Sequence, residues 1–226
     1  FAPAPWSAPA GSFLSVSAGH RHSCGVRTDR TVACWGEDFH GKATPPPGTF
    51  LSVSAKGTHS CGVRTDATLA CWGKDDAGQA SPPPGAFTSV AVGHYHSCGL
   101  RVDATVACWG ADDAGQASPP AGAFSSISAF GFHSCGLRVD RTVACWGDNT
   151  KGQASPPPGT FLSVSAGSTH SCGVRTSGEV ECWGSDAEGE SSPPAGEFAS
   201  GSAGNQATSG LRVDGVQQCW GIWSVS

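Results

Sequence analysis

The chain has no methionine, a single tyrosine (Tyr95) and only 14% charged residues. No apolar run approaches the roughly 18–20 residues a membrane helix requires, so no helical span and no membrane insertion are expected. The net charge of −5 gives no overall electrostatic attraction to nucleic acid or to an anionic membrane. A chain that starts at Phe1 and lacks methionine fits a mature form whose leader has been cut off, so the expected setting is secreted and extracellular. Helical periodicity is also missing between the 32 glycines and 16 prolines.

What is present is one unit, copied. Phe13, Phe50, Phe87, Phe124, Phe161 and Phe198 recur every 37 residues, and Trp35, Trp72, Trp109, Trp146, Trp183 and Trp220 keep the same interval. The units are 13–49, 50–86, 87–123, 124–160, 161–197 and 198–226, and residues 1–12 read as the tail of a unit, since PWSAPAG at 5–11 aligns with QASPPAG at 116–122. A fixed period over nearly the whole chain calls for a repeat architecture before any residue is given chemistry, and residues 1–226 read as one domain. The tail is expected to supply the last strand of the sixth unit and close a ring, with Trp6 as its anchor.

Eleven cysteines fall at two places in the unit. Cys24–Cys34, Cys61–Cys71, Cys98–Cys108, Cys135–Cys145 and Cys172–Cys182 are expected disulfides, which again suits an oxidising compartment. The sixth unit has Ser209 at the first place, leaving Cys219 as a free thiol, by default buried, or else the link of a dimer; monomer and Cys219-linked dimer both stand.

Within a unit, FLSVSA (13–18), HSCGVR (22–27) and TVACW (31–35) alternate with period two between Gly and Pro, as short strands do. A weaker fourth strand is expected at 41–44, before PPPG at 45–48 breaks the pattern. If Cys24 faces Cys34, then Val26 faces Val32, Arg27 faces Thr31, and Thr28-Asp29-Arg30 forms a three-residue loop ending in a left-handed residue, where the last two units carry Gly178 and Gly215. Gly25 is expected to leave room for the Trp35 indole. Neither face of such a sheet is wholly polar, so both should be covered, and sheets stacked face to face around an axis form a six-bladed β-propeller, an all-β fold.

The unit VSAGxxHSCGVRTDxTVACWGxDxxGQA resembles the regulator of chromosome condensation repeat, whose pattern runs small-Gly, His-Ser, an apolar strand, Asp-Gly, Trp-Gly, Asn or Asp, and Gly-Gln. The resemblance implies a β-propeller, and the family includes secreted bacterial propeller-type beta-lactamase inhibitory proteins. It implies a framework role for the repeated His. The nuclear exchange factor of that family has seven blades and no paired cysteines, so nucleotide exchange is not carried over.

His22, Cys24 and Cys34, repeated through His170, Cys172 and Cys182, offer three soft ligands per unit where a structural zinc site takes four, so no metal and no cofactor is expected. His22 and Ser23 are adjacent on a strand and point to opposite faces, which denies them a local triad, and no catalytic residue or enzyme activity is expected. Asp38 and its copies precede Gly in turns and lack the alternating oxygens of a calcium loop. Arg27, Arg64, Arg101, Arg138, Arg175 and Arg212 are expected to pair with backbone or Asp near the turn, their stems on the next blade.

Positions that differ between copies lie in two loops, between the first and second strands and after the third. In an up-and-down blade both emerge at one end. His20, Arg21, Phe39, His40, His94, Tyr95, Phe130 and Phe132 make that end aromatic and partly cationic, the composition of a recognition surface. The expected partner is a protein, bound by a non-catalytic module, possible inhibition of an enzyme included. The alternative is a glycan, held by a lectin with repeated sites between blades that contain Trp, Arg and Asp.

Overall fold

The computed structural model describes residues 7–222 and divides the chain into two compact units, residues up to Asp112 and residues from Asp113. The first unit holds β1 (Phe13–Ala18), β2 (His22–Arg27), β3 (Val32–Gly36), β4 (Phe50–Lys56), β5 (His59–Arg64), β6 (Leu69–Gly73), β7 (Phe87–Val92), β8 (His96–Arg101) and β9 (Val106–Gly110). The second holds β10 (Phe124–Phe130), β11 (His133–Arg138), β12 (Val143–Gly147), β13 (Phe161–Ala166), β14 (His170–Arg175), β15 (Val180–Gly184), β16 (Phe198–Ala203), β17 (Ala207–Arg212) and β18 (Gln217–Gly221). Each repeat makes one antiparallel three-stranded sheet, so six blades are formed. The ring-closing role expected of Trp6 lies outside the described residues.

The hairpin register follows the cysteine pairing. Cys24 faces Cys34, Val26 faces Val32, and the Arg27 amide donates to the Thr31 carbonyl. Arg30 has φ 70°, and Ala67, Ala104 and Arg141 match it at 67–70°, a left-handed conformation that Gly178 and Gly215 adopt without a Cβ penalty. The Asp29 carboxylate accepts from both the amide and the hydroxyl of Thr31, which pins the turn. All five expected disulfides are present, with Cα atoms 4.0 Å apart. Each closes a loop of about ten residues, worth about 2–3 kcal/mol on the chain-entropy account.

The fourth strand is not formed. Phe39–Gly41 is instead a 3-10 turn, and the Asp38 carboxylate accepts from the Ala43 amide at 2.6 Å and the Thr44 hydroxyl at 2.6 Å. An amide satisfied in this way is lost to a ladder, and the prolines that follow have no amide to offer.

The space above Gly25 is also filled differently from expectation. A Cβ there would meet Phe13 Cδ1 at 2.5 Å, and at Gly62 it would meet Phe50 Cδ1 at 2.7 Å. The first-strand phenylalanine crosses the glycine and meets the tryptophan edge-on, with the Phe50 and Trp72 centroids 6.2 Å apart.

Inside each unit successive sheets stack face to face. Cys24 and Val26 of the first repeat pack on Phe50, Ala55 and Trp72 of the second. Cys135 and Leu137 pack on Phe161, Ala166 and Trp183, and Cys172, Val174 and Val180 on Phe198, Ala203 and Trp220. Phe50 and Phe161 are fully buried, each worth about 2–3 kcal/mol in apolar burial.

Candidate functional site

The repeated polar residues bind one repeat to the next. His22 Nε2 lies 2.9 Å from Ser60 Oγ, and His59 Nε2 lies 2.7 Å from Ser97 Oγ. In the second unit His133 meets Ser171 at 2.8 Å and His170 meets Thr208 at 2.8 Å. Each hydroxyl spends its proton on a backbone carbonyl, Ser97 on that of Gln79 at 3.1 Å and Ser171 on that of Gln153 at 3.0 Å. The imidazole Nε2 is therefore the donor, and the Nδ1 lone pairs of His59, His133 and His170 are buried without a partner. A His–Ser contact thus exists, but between repeats rather than along a strand. Ser60, Ser97 and Ser171 are fully buried, which removes them from any substrate.

Each repeated arginine sets its guanidinium over the first-strand phenylalanine of its own sheet, and Arg175 pairs in addition with Glu181 and Arg212 with Asp214 near the turn, as expected. Arg64 Cζ sits 5.0 Å from the Phe50 ring centroid, and its Nη1 donates to the Pro47 carbonyl at 3.1 Å. Arg101 and Arg175 repeat this on Phe87 and Phe161, each at 4.8 Å. Among the described residues no three His, Cys, Asp or Glu side chains gather as a metal site, and no helix is long and apolar enough to cross a membrane.

The two variable loops do share an end of each sheet. The Glu37 amide donates to the Arg21 carbonyl at 2.7 Å, Ala111 to Tyr95 at 2.8 Å, and Asp148 to Phe132 at 2.9 Å. The hairpin turns and proline turns meet at the opposite end, where the Thr65 amide donates to the Thr49 carbonyl at 3.1 Å.

In the first unit this loop end brings His20, Arg21, His94 and Tyr95 into one neighbourhood. A Cβ on Gly57 would touch the His94 carbonyl and ring at 2.9–3.0 Å, so the second and third loops abut. The His94 and Tyr95 rings are 5.6 Å apart, and Lys74 Nζ lies 5.8 Å from the Tyr95 ring centroid. Burial is the main cause that holds His94 below its ordinary pKa, with the His20 charge adding to it. Arg21 is exposed at φ 63°, within 3.7 Å of Glu37.

Phe39 and His40 stand outward on the 3-10 turn, Phe39 68% exposed. In the second unit Phe132 is 42% exposed, whereas Phe130 turns inward onto the core of Cys135, Leu137, Phe161 and Trp183. Phe130 replaces a glycine at the end of its strand, and its ring finds apolar cover there rather than facing solvent.

Sequence reading passed over Lys42. It is 3% exposed and donates to the His20 carbonyl at 3.2 Å and to Glu37 at 2.8 Å. That ammonium is the leading cause that holds the Glu37 carboxyl below its ordinary range. The signal was available, since Lys42 stands where Gln79, Gln116 and Gln153 stand in later repeats. Cys219 is exposed rather than buried. It faces Ser209 across the ladder, so no disulfide draws its sulfur inward.

Three-stranded sheets of one period, stacked through the same His, Trp and Phe contacts inside each unit, are the blades of a β-propeller-class repeat protein. Residues 13–42, 50–79, 87–116, 124–153 and 161–190 match the regulator of chromosome condensation (RCC1) repeat, and the chain belongs to that family. The sixth repeat, which carries Ala207 and Ser209 for the framework His and Cys, is not part of that match.

Among solved structures the chain is similar to the ectodomain of the Physcomitrella patens receptor kinase CR4, at 30% identity and TM-score 0.80, covering 96% of this chain and 66% of that one. The chain therefore spans just under two thirds of that ectodomain. The ectodomain of the Arabidopsis thaliana receptor kinase ACR4 is 27% identical at TM-score 0.78, over 93% of this chain and 79% of that one. Prp20p from Saccharomyces cerevisiae shares the fold at 15% identity and TM-score 0.80, over 92% of this chain and 72% of that one. No curated protein sequence matches the chain.

Proposed function

We propose that the chain is a non-catalytic recognition module that works in an oxidising, extracytoplasmic setting and binds a protein partner through the loop ends of its blades. One observation carries this reading. The side chains common to the repeats are spent on framework contacts, whereas the loops that differ between repeats lie together at one end of each sheet, with His20, Arg21 and Tyr95 on such ends in the first unit and Phe132 on one in the second. Five disulfides and similarity to two receptor ectodomains support the setting. Yeast Prp20, which shares the fold, has been solved with Kap60 bound, a protein partner for one member of the fold.

Capture of partners from the native extracellular milieu, followed by alanine substitution, tests the reading. Arg21→Ala, Tyr95→Ala and Phe132→Ala should each weaken binding, by about 1 kcal/mol or more where the residue is a hot spot. Arg30→Ala and Val102→Ala, at the hairpin end, should leave it unchanged; the reverse pattern refutes the reading. Sugar binding between blades finds no favouring observation. The repeated Trp72 indole N–H is bonded to the Lys42 carbonyl, Arg64 to Pro47, and Asp66 to Thr68.

A further inference from the structure

One loop position carries a carboxylate in the first and fourth repeats, and in both it is met by the side chain five residues on. Glu37 Oε2 accepts from Lys42 Nζ at 2.8 Å, and Arg21 Nη1 stands 3.7 Å from Glu37 Oε1. In the second unit Asp148 Oδ2 accepts from Gln153 Nε2 at 2.8 Å. The other end of that amide is tied down, since Gln153 Oε1 accepts from the Lys151 amide at 2.8 Å.

The second repeat keeps the donors but has a lysine for the carboxylate. Lys74 stands where Glu37 and Asp148 stand, and Gln79 where Lys42 and Gln153 stand. Gln79 Oε1 accepts from the Ala77 amide at 2.8 Å, the same anchor as in Gln153, so its Nε2 is turned toward residue 74. Gln79 is 0% exposed, and its Nε2 has no acceptor among the described residues. The Lys74 amide donates to the Thr58 carbonyl as the Glu37 amide does to that of Arg21, so Thr58 stands beside Lys74 as Arg21 stands beside Glu37. Thr58 Oγ1 is buried and has no partner among the described residues either. Two buried donors without acceptors at one loop end are an uncommon and costly arrangement. Lys74 leans away, its Nζ 5.8 Å from the Tyr95 ring centroid and 3.1 Å from the exposed Asp76 carboxylate. Asp75 does not serve the two donors, because its carboxylate is held by the Ala80 amide and the Ser81 hydroxyl, each at 2.7 Å.

We propose that Thr58, Lys74 and Gln79 form a receptor for an acidic side chain, an aspartate or glutamate of the protein partner, with its carboxylate between Gln79 Nε2 and Thr58 Oγ1 and paired with Lys74 Nζ. The first and fourth repeats define the chemistry of the occupant, since each places a carboxylate against the donor that corresponds to Gln79. An exposed ion pair such as Lys74 with Asp76 is weakly held, so Lys74 turns to the arriving carboxylate at little cost. Hydrogen bonds from buried donors to a charged acceptor are the stronger kind. The inference rests on the loop-end reading and names what the partner presents there.

The test is titration of the ¹⁵N-labelled chain with the peptide N-acetyl-Gly-Glu-Gly-amide, up to about 20 mM at constant ionic strength. The Gln79 side-chain amide resonances, assigned by their loss in Gln79→Leu, should shift saturably. Thr58→Val, which is isosteric and removes no hydrogen bond among the described residues, should weaken binding about tenfold, the loss of one bond to a charged acceptor. Lys74→Asp should abolish the response and by itself move those resonances as the peptide does, because the chain then supplies its own carboxylate, as Asp148 does. The proposal is overturned if the resonances do not respond, if the Gly-Gln-Gly peptide or inorganic phosphate acts equally, or if Lys74→Asp binds the peptide as the parent chain does. Should Tyr95→Ala weaken a captured partner while the Gln79 resonances ignore the peptide, the acidic-side-chain receptor falls and the loop-end reading stands. Should the peptide bind while the partner is indifferent to Arg21→Ala, Tyr95→Ala and Phe132→Ala, the receptor stands and the loop-end reading falls.

Discussion

His59 Nε2 stands 2.7 Å from Ser97 Oγ, one repeat away, with both residues fully buried. The bond ties the second blade to the third and fixes the tautomer of the ring. Ser97→Ala leaves a buried imidazole N–H unpaired and removes one donor from the Gln79 carbonyl, so a loss of about 1–3 kcal/mol is expected. Urea denaturation measures it, and an unchanged midpoint would show that the bond contributes nothing net.

Stability should fall as the pH falls from about 6.5 to about 4. Burial is the main cause that lowers the pKa of His59 and His133 to about 4, against 6.5 in an unfolded chain. Between these values the unfolded chain binds more protons, so the slope of stability against pH is positive there. The buried Nδ1 atoms explain the shift, because a proton placed on them would find no acceptor. Urea midpoints between pH 7 and 4 should decline. His59→Gln should flatten the curve, and a curve equally steep in the variant would rule this histidine out as a source.

Gly62→Ala tests the crossing of Phe50. The added Cβ lies 2.7 Å from Phe50 Cδ1 and 3.1 Å from the Ser52 carbonyl oxygen, so the ring must leave its place over the strand. Overpacking of this kind costs about 1–3 kcal/mol, read as a lower thermal midpoint.

The exposed Cys219 sulfur should react with a thiol reagent in the native protein, one equivalent per chain and no more after denaturation without reductant. Cys219→Ser should abolish that reaction without changing stability. Any further thiol that appears on denaturation would mean that a repeat disulfide is unformed.

The hairpin register, the disulfides and the stacked sheets were legible in the sequence because Cys24 and Cys34 sit symmetrically about a three-residue turn and the same spacing recurs. The missing fourth strand was not, because GKAT at 41–44 shows no trace of the Asp38 carboxylate that claims its backbone. The inward turn of Phe130 and the exposure of Cys219 were hidden for a related reason. Each depends on what lies beside one copy, whereas periodicity reports only what all copies share. Pairing of His with Ser across repeats escaped notice because the partners are 38 positions apart, one more than the repeat length.

That offset of one beyond the period makes every joint in a unit the same joint, a histidine reaching forward and an indole reaching back. Mechanical load or denaturant will therefore find no weakest seam in the middle of a unit, and rupture should begin at a terminal blade and proceed one sheet at a time. Pulled from its ends, the protein should yield in a regular sawtooth, each tooth the release of one such handclasp.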